Sequence, residues 1–497
     1  MQSPASHVYD VAVVGAGVVG TAIARRLARY RLRCVLLEAG PDVGAGTSKA
    51  NTAILHTGFD AKPGTLEAAL VRRGRELLLE EGPGLGIPIE RTGALLVAWT
   101  EAEVAALPGI AARARENGWS DVRPVEREEL YRREPSLGQG ALAGLEVPGE
   151  GILCPWTPPL AFATEALAGG VELRLDSAVV AARRVATGPE PWVHELDAAG
   201  APVRAGWVVN AAGLRSDEVD HLLGHDGFTV TPRRGELIVF DKLARPLLRH
   251  VLLPVPTATS KGVLVAPTVF GNVLLGPTAE DLDDKRDTAT SARGLAGLLA
   301  HGQRILPALL AEEVTAVYAG LRAATEHGDY QLEVHPAERY ACAGGIRSTG
   351  LTAALAIAEH LVGELGGAGL PLVPVERVER VRLPNLGEAF PRPYRSAEAI
   401  AANPDHGRIV CHCERVTRGE LLDALAGPIP PRDLDGLRRR TRALLGRCQG
   451  FYCAATVAAM LAEMGGRPVG GLLGTGAPPR TSPGASPAPP PREGHHR

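Results

Sequence analysis

Four cysteines crowd together near the C-terminal end of the chain. Cys411-His412-Cys413 is followed, after 34 intervening residues, by Cys448-Gln449-Gly450-Phe451-Tyr452-Cys453. Thiolates in a C-x-C and C-x4-C arrangement bind zinc or an iron–sulfur cluster. Structural zinc sites more often use C-x2-C pairs, and a Rieske centre replaces two thiols by histidines. The expected ligands are therefore Cys411, Cys413, Cys448 and Cys453, with His412 spare, and the spacing leaves zinc and iron–sulfur both open. Cys34, Cys154 and Cys342 lie far from this group. An odd total of seven in a long chain is not a disulfide framework.

A second chemistry belongs to the N-terminal end. An apolar run over residues 10–14 leads into Gly15-Ala16-Gly17-Val18-Val19-Gly20, then a helical stretch over 21–30, then Cys34-Val35-Leu36-Leu37 ending at Glu38. Strand, glycine turn, helix, strand and acid form the dinucleotide-binding βαβ unit. Gly15 allows the tight turn, Gly17 lets backbone approach a pyrophosphate, and Gly20 lets helix and strand pack closely. The phosphates then sit at a helix N-terminus, whose free N–H groups and dipole favour anions. Glu38 is placed to accept ribose hydroxyls, and its charge repels a 2′-phosphate.

The glycine turn serves NAD and FAD alike, but two later segments favour the longer cofactor. Val208-Val209-Asn210-Ala211-Ala212-Gly213 is a strand running into small residues, where backbone must pass close to something. Gly344-Gly345-Ile346-Arg347-Ser348-Thr349-Gly350-Leu351-Thr352 is a glycine-rich turn opening a second helix, another N-terminus for an anionic ring edge. Three such places across one domain suit FAD.

The elements that position these residues read as α/β. Helices are expected over 66–80, 101–116 and 351–362, and strands over 87–98, 171–175, 203–210, 236–240, 263–265 and 273–275. The 497 residues, 45% hydrophobic and 22% charged, are ordinary for a globular protein of about three domains. A net charge of -3 argues against nucleic-acid binding. No apolar run reaches membrane-spanning length, and the N-terminus lacks a signal-peptide layout, so a cytoplasmic location is expected. Prolines concentrate over 386–407, expected as a linker. Residues 408–471 form a small Cys-rich unit, and 472–497 are rich in Pro, Gly and Ser, expected as a disordered tail.

Together, Gly15–Gly20 with Glu38, Asn51-Thr52-Ala53-Ile54-Leu55-His56-Thr57-Gly58, Lys62-Pro63-Gly64, Asn210-Ala211-Ala212-Gly213, Arg234-Gly235-Glu236 and Gly345–Thr352 resemble the D-amino-acid-oxidase-like flavoenzymes. Within them the likeness is to FAD-dependent glycerol-3-phosphate dehydrogenases and L-2-hydroxyglutarate oxidases. The resemblance implies an oxidoreductase over 1–385. Its Rossmann-type FAD part covers about 1–84, 146–225 and 326–385. An antiparallel-sheet substrate part is interleaved, at about 85–145 and 226–325. It also implies that Ser48, Asn51, Ala212, Gly213, Gly345, Ile346, Gly350, Leu351 and Thr352 join Gly15, Gly17, Gly20 and Glu38 around FAD.

Such enzymes pass hydride from CH–OH or CH–NH to flavin while a base takes the other proton. His56 is the candidate base, since it follows a stretch that by resemblance lies near the flavin ring, and imidazole titrates near neutrality. Arg322, in Tyr318-Ala319-Gly320-Leu321-Arg322, matches an arginine that holds phosphate in the glycerol-3-phosphate dehydrogenases, and Arg347 is a second anion-binding candidate. Lys261 stands out because lysine is scarce here. The respiratory dehydrogenases carry Lys-Leu where this chain has Ile346-Arg347, and Lys62-Pro63-Gly64-Thr65-Leu66 is closer to the hydroxyglutarate branch. The Cys pattern with Arg439-Arg440-Thr441-Arg442 resembles bacterioferritin-associated-ferredoxin-type [2Fe–2S] domains, which also end the anaerobic glycerol-3-phosphate dehydrogenases.

The expectation is an FAD enzyme oxidising sn-glycerol 3-phosphate, with a [2Fe–2S] cluster passing electrons to a protein or quinone acceptor, directly or through another subunit. An L-2-hydroxy acid or amino acid is the alternative small substrate. A redox docking module whose flavin no substrate reduces is the alternative of another class.

Overall fold

The computed structural model describes residues 8–187, 190–256, 262–466 and 468–472. The N-terminal unit forms as its pattern requires. β1 (Val8–Val14) pairs in parallel with β2 (Cys34–Leu37), and α1 (Val18–Leu27) joins them. Val11–Val14 of β1 and all of β2 are apolar and buried on both faces, as a parallel sheet covered on both sides demands. The parallel part runs Glu172–Arg174, β2, β1, Ala201–Asn210 and Tyr340–Gly344. An antiparallel hairpin, Val179–Thr187 with Glu190–Ala198, extends it. On one face α1 packs between the helices Thr157–Ala168 and Gly350–Gly367. Val11, Val13, Ile23, Leu36, Phe162 and Ile357 are wholly buried there.

A second sheet draws its strands from residues 94–147 and 231–324. Its long pair, Thr231–Phe240 and Val314–Ala324, runs antiparallel from Thr231 opposite Ala324 to Phe240 opposite Val314. The helix expected over 101–116 is Glu101–Glu116, started by a reciprocal cap between Thr100 and Glu103. The single strand expected over 87–98 is instead two, Ile89–Glu90 and Ala94–Ala98. Gly93 lies between them at φ +65, a left-handed conformation that ends a strand. The first piece leaves for a three-stranded sheet with Ile54–Leu55 and Gly151–Leu153, and that small sheet sets up the site.

The Cys-rich end has its own core. Ile409–Cys411 pairs with Val416–Thr417, and the helices Arg418–Ala426, Leu434–Thr441 and Ala454–Gly465 close over Val416, Leu421, Leu437, Val457 and Leu461. The stretch 386–407 carries a short helix, Ala397–Ala402, and its Arg392 donates to Glu420 at 2.8 Å. The expected tail lies outside the described residues from 473 onward.

Candidate active site and metal centre

The two large sheets meet at a cleft of about 510 Å³. Its floor begins at the N-terminus of α1. Gly15 has φ +102, and a Cβ on Gly20 would lie 1.8 Å from the Gly15 carbonyl, so only glycine permits the turn and the helix behind it. Gly17 lines the cleft, and the Val18 N–H donates to Ser48 Oγ at 3.0 Å. Glu38 stands behind this turn, not on the cleft wall. Its Oε2 accepts from Ala16 N at 2.7 Å and its Oε1 from Gly40 N at 2.8 Å. Burial raises its pKa, and the Gly40 and Ala16 N–H groups only partly oppose that. Each oxygen keeps acceptor capacity for a sugar hydroxyl.

Ser48 and Asn51 lie on one wall. Asn51 is committed to the local turn, with Nδ2 donating to Ser48 O at 2.9 Å and Oδ1 accepting from Ala53 N at 2.8 Å. Gly213 lines the cleft beside Ala211, while Ala212 sits next to it, its N–H held by Asn210 Oδ1 at 3.2 Å. Gly345, Ile346 and Arg347 line the opposite wall as the glycine-rich turn. Gly350, Leu351 and Thr352 continue it as the first turn of Gly350–Gly367. Thr352 Oγ1 accepts from His56 N at 3.1 Å, tying the two walls together.

His56 and Arg322 face this same cleft. Arg322 projects from Val314–Ala324, and its Nη1 and Nη2 reach only the Thr278 carbonyl, at 3.4 and 3.5 Å. No carboxylate among the described residues pairs with it, whereas its neighbour Arg233 is held by Asp281 at 2.6 Å. Burial, with a smaller push from Arg233, brings the Arg322 pKa down to about 10, so the group is still a cation at neutral pH. An unpaired, partly desolvated guanidinium is built for an incoming anion. Arg347 is more open and donates to Gly328 O at 3.2 Å. Lys261 lies outside the described residues.

The sequence reading missed Glu150, whose Oε2 is 3.5 Å from His56 Nδ1. It is one of many acids, separated from His56 by 94 positions, and only the small sheet brings them together.

The structure brings the four thiols together in two pairs. Cys411 ends its strand, Cys453 caps the helix Ala454–Gly465, and both are buried; Cys413 and Cys448 are half-exposed. Cys413 and Cys448 lie within hydrogen-bonding reach of one another, as do Cys411 and Cys453. N–H groups of Tyr452, Gly450 and Phe451 point at Cys448 and hold its thiol below the ordinary range. An all-thiol donor set with peptide N–H groups aimed at a sulfur fits an iron–sulfur cluster. A different group, His225, His335 and Glu338, does not make a metal site. The two imidazoles lie tilted by 37° with centroids 4.2 Å apart, and His225 Nε2 is 2.6 Å from Glu338 Oε2, an ion-pair contact that accounts for the cluster without a metal.

The arginine run before Cys448 joins this unit to the rest of the chain. Arg439 and Arg440 close on Asp42, four residues beyond Glu38, at 2.6 and 2.7 Å. Burial alone would raise the Asp42 pKa, but Arg440 and Arg439 hold it below the usual carboxylate range. Arg442 reaches Glu414 at 2.8 Å and lies over Phe270 at 4.1 Å. Phe270 stacks on Trp156 at 5.0 Å, and Trp156 donates to the Lys49 carbonyl at the cleft wall. The remaining cysteines have no such company: Cys154 accepts from Thr157, and Cys34 and Cys342 are buried with thiol pKa values pushed up by burial.

The family model for FAD dependent oxidoreductases matches residues 10–364, and that for the BFD-like [2Fe-2S] binding domain matches 409–463. A glycerol 3-phosphate dehydrogenase of Caloramator mitchellensis is 33% identical over 458 residues, 92% of this chain and 94% of that protein. A glycerol 3-phosphate oxidase of Mycoplasma pneumoniae is 31% identical over 71% of this chain and 93% of its own. The dithionite-reduced, FAD-bound structure of L-alpha-glycerophosphate oxidase from Mycoplasma pneumoniae superposes with a TM-score of 0.71 at 29% identity, covering 76% of this chain and 99% of that one.

Proposed function

The chain belongs to the FAD-dependent oxidoreductases of the DAO family and ends in a BFD-like [2Fe-2S]-binding domain, and from that premise we propose that it oxidises sn-glycerol 3-phosphate to dihydroxyacetone phosphate. The observation that carries this substrate is the cleft itself: a half-buried arginine without a carboxylate partner among the described residues, Arg322, and a histidine, His56, on one wall system. The relatives named for glycerol 3-phosphate support it.

In this reading Arg322 receives the phosphate, with Arg347 nearer the entrance. His56 then accepts the proton of the hydroxyl that becomes the carbonyl oxygen. The turn at Gly15–Gly20, with Ser48 and the helix N-termini at Val18 and Gly350, holds the phosphates and ring edge of FAD. Bound FAD supplies a two-electron hydride acceptor, and a [2Fe–2S] cluster a one-electron carrier. The Cys-rich domain thereby gives electrons an outlet toward a protein or quinone acceptor. Phe451 and Tyr452, 84% and 74% exposed between Cys448 and Cys453, offer an apolar contact there. No helix among the described residues is long and apolar enough to cross a membrane.

The test is an anaerobic substrate panel of glycerol 3-phosphate, L-2-hydroxyglutarate and D-amino acids, watched for loss of flavin absorbance. Bleaching by glycerol 3-phosphate supports the reading. Bleaching by L-2-hydroxyglutarate alone moves the assignment to the 2-hydroxy acids, and bleaching by none leaves the docking-module alternative.

A further inference from the structure

We propose that Glu150 is the positioning residue of His56: its buried carboxylate holds the imidazole with the proton on Nδ1, leaving Nε2 free to take the substrate's hydroxyl proton. This rests on the reading of His56 as the base.

The pairing is built into the small sheet. Ile54 lies opposite Ile152 and Leu55 opposite Gly151 in an antiparallel register. His56 and Glu150 follow directly on the Leu55–Gly151 pair, one position beyond the end of the ladder. The Glu150 side chain has no exposed surface, and its Oε1 accepts from Thr57 N at 2.6 Å and Thr57 Oγ1 at 2.7 Å. Thr57 thus fixes one oxygen and the carboxylate plane. Oε2 is buried, accepts no hydrogen bond among the described residues, and lies 3.5 Å from His56 Nδ1. A buried carboxylate oxygen left without a donor is costly, and Nδ1–H is the donor in reach. At 3.5 Å the contact is longer than a good hydrogen bond, as such contacts often are before substrate binds. Arg75, from Leu66–Leu85, also faces Glu150, but its Nε is spent on the Gly149 carbonyl at 2.9 Å and its guanidinium lies over Trp119. Toward the cleft His56 shares its surroundings with Asp60, Glu67, Arg322 and Arg347.

The step balances. The hydroxyl proton moves to His56 Nε2, the freed O–H electron pair forms the second C–O bond, and the C–H bond leaves as hydride to the flavin. The imidazolium so formed sits against the Glu150 carboxylate, as in the histidine–acid pairs of hydrolases.

Glu150→Gln tests it, because it preserves shape and the Thr57 contact while turning an N–H₂ toward Nδ1. His56 must then carry its proton on Nε2, where it can no longer act as acceptor. Anaerobic single-turnover bleaching should slow by about 10²-fold or more while substrate Kd changes less than about threefold. Glu150→Asp should recover part of the rate. A measurement on the unmodified holoenzyme runs beside it: ¹⁵N-histidine NMR, with the His56 signal identified by His56→Gln, should show the proton on Nδ1. A wild-type rate in Glu150→Gln alongside a slow His56→Gln overturns the pairing and leaves the base in place. So does an Nε2–H signal in the unmodified protein. A wild-type rate in His56→Gln itself removes the reading on which the pairing rests.

Discussion

Replacing Arg322 by methionine separates two consequences of its position. The guanidinium is largely out of water, with only the Thr278 carbonyl at 3.4 and 3.5 Å, and its pKa is brought down to about 10, first through burial and then through Arg233. A cation whose folded pKa lies below its unfolded one weakens the fold at every pH below the folded value. That penalty fades only as pH rises from about 10 toward the ordinary arginine range. At about 1.4 kcal/mol per pKa unit the penalty is at most on the order of 3 kcal/mol, and less once the water reaching this half-buried group is counted. Methionine removes the charge and keeps most of the packed stem. The substrate-free Arg322→Met holoenzyme should therefore melt roughly 1–3 °C above the unmodified protein. Binding moves the other way. Losing charge-assisted hydrogen bonds to a phosphate costs about 1.5–3 kcal/mol, which weakens glycerol 3-phosphate binding by about 10- to 10²-fold. Differential scanning fluorimetry with and without glycerol 3-phosphate, and an anaerobic bleaching titration for Kd, read both effects. The unmodified protein should gain thermal stability from glycerol 3-phosphate and the variant should not. A variant that melts lower than the parent and still gains stability from glycerol 3-phosphate would refute both halves of the argument.

Other perturbations reach the remaining parts. Asp42→Ala leaves Arg440 with only the Gly436 and Ile429 carbonyls and Arg439 with Asp435 alone, at a cost of about 3 kcal/mol to docking; limited proteolysis within 386–407 should accelerate while iron content and substrate-driven bleaching persist. Gly20→Ala places a methyl 1.8 Å from the Gly15 carbonyl, so purified protein should carry little FAD. Burial alone would raise the Glu414 pKa, but the charges of Arg442 and Lys242 bring it to about 2. Its stabilising contribution is complete above the ordinary value of 4.5 and lost as pH falls toward 2. Acid should therefore loosen the Cys-rich domain in that window, and Glu414→Gln should flatten the pH dependence seen by proteolysis.

The features legible in the sequence are those whose chemistry is local. The turn at Gly15–Gly20 is dictated by backbone contacts within a few residues, and C-x-C with C-x4-C places four thiols by spacing alone. Glu101–Glu116 shows its cap and period directly. Features formed across the chain were not legible. Glu150 meets His56 only because two short strands pair, and nothing near Glu150 in sequence marks it. Asp42 reads as an ordinary surface acid until Arg439 and Arg440 fold against it. The arginine run itself was visible, but only as a companion of the cysteines and not as the clamp that ties their unit to Asp42. Glu38 was singled out for ribose hydroxyls, yet its hydrogen bonds in the fold go to Ala16 and Gly40, which a pattern of glycines and one acid does not reveal.

The most direct test is an anaerobic titration of FAD- and iron-loaded protein with sn-glycerol 3-phosphate, followed by flavin absorbance and by EPR of the cluster. The account predicts that glycerol 3-phosphate bleaches the flavin and that a reduced [2Fe–2S] signal develops with it. A flavin left oxidised by glycerol 3-phosphate would contradict the substrate assignment, and a bleached flavin beside a cluster that never becomes reduced would contradict the relay.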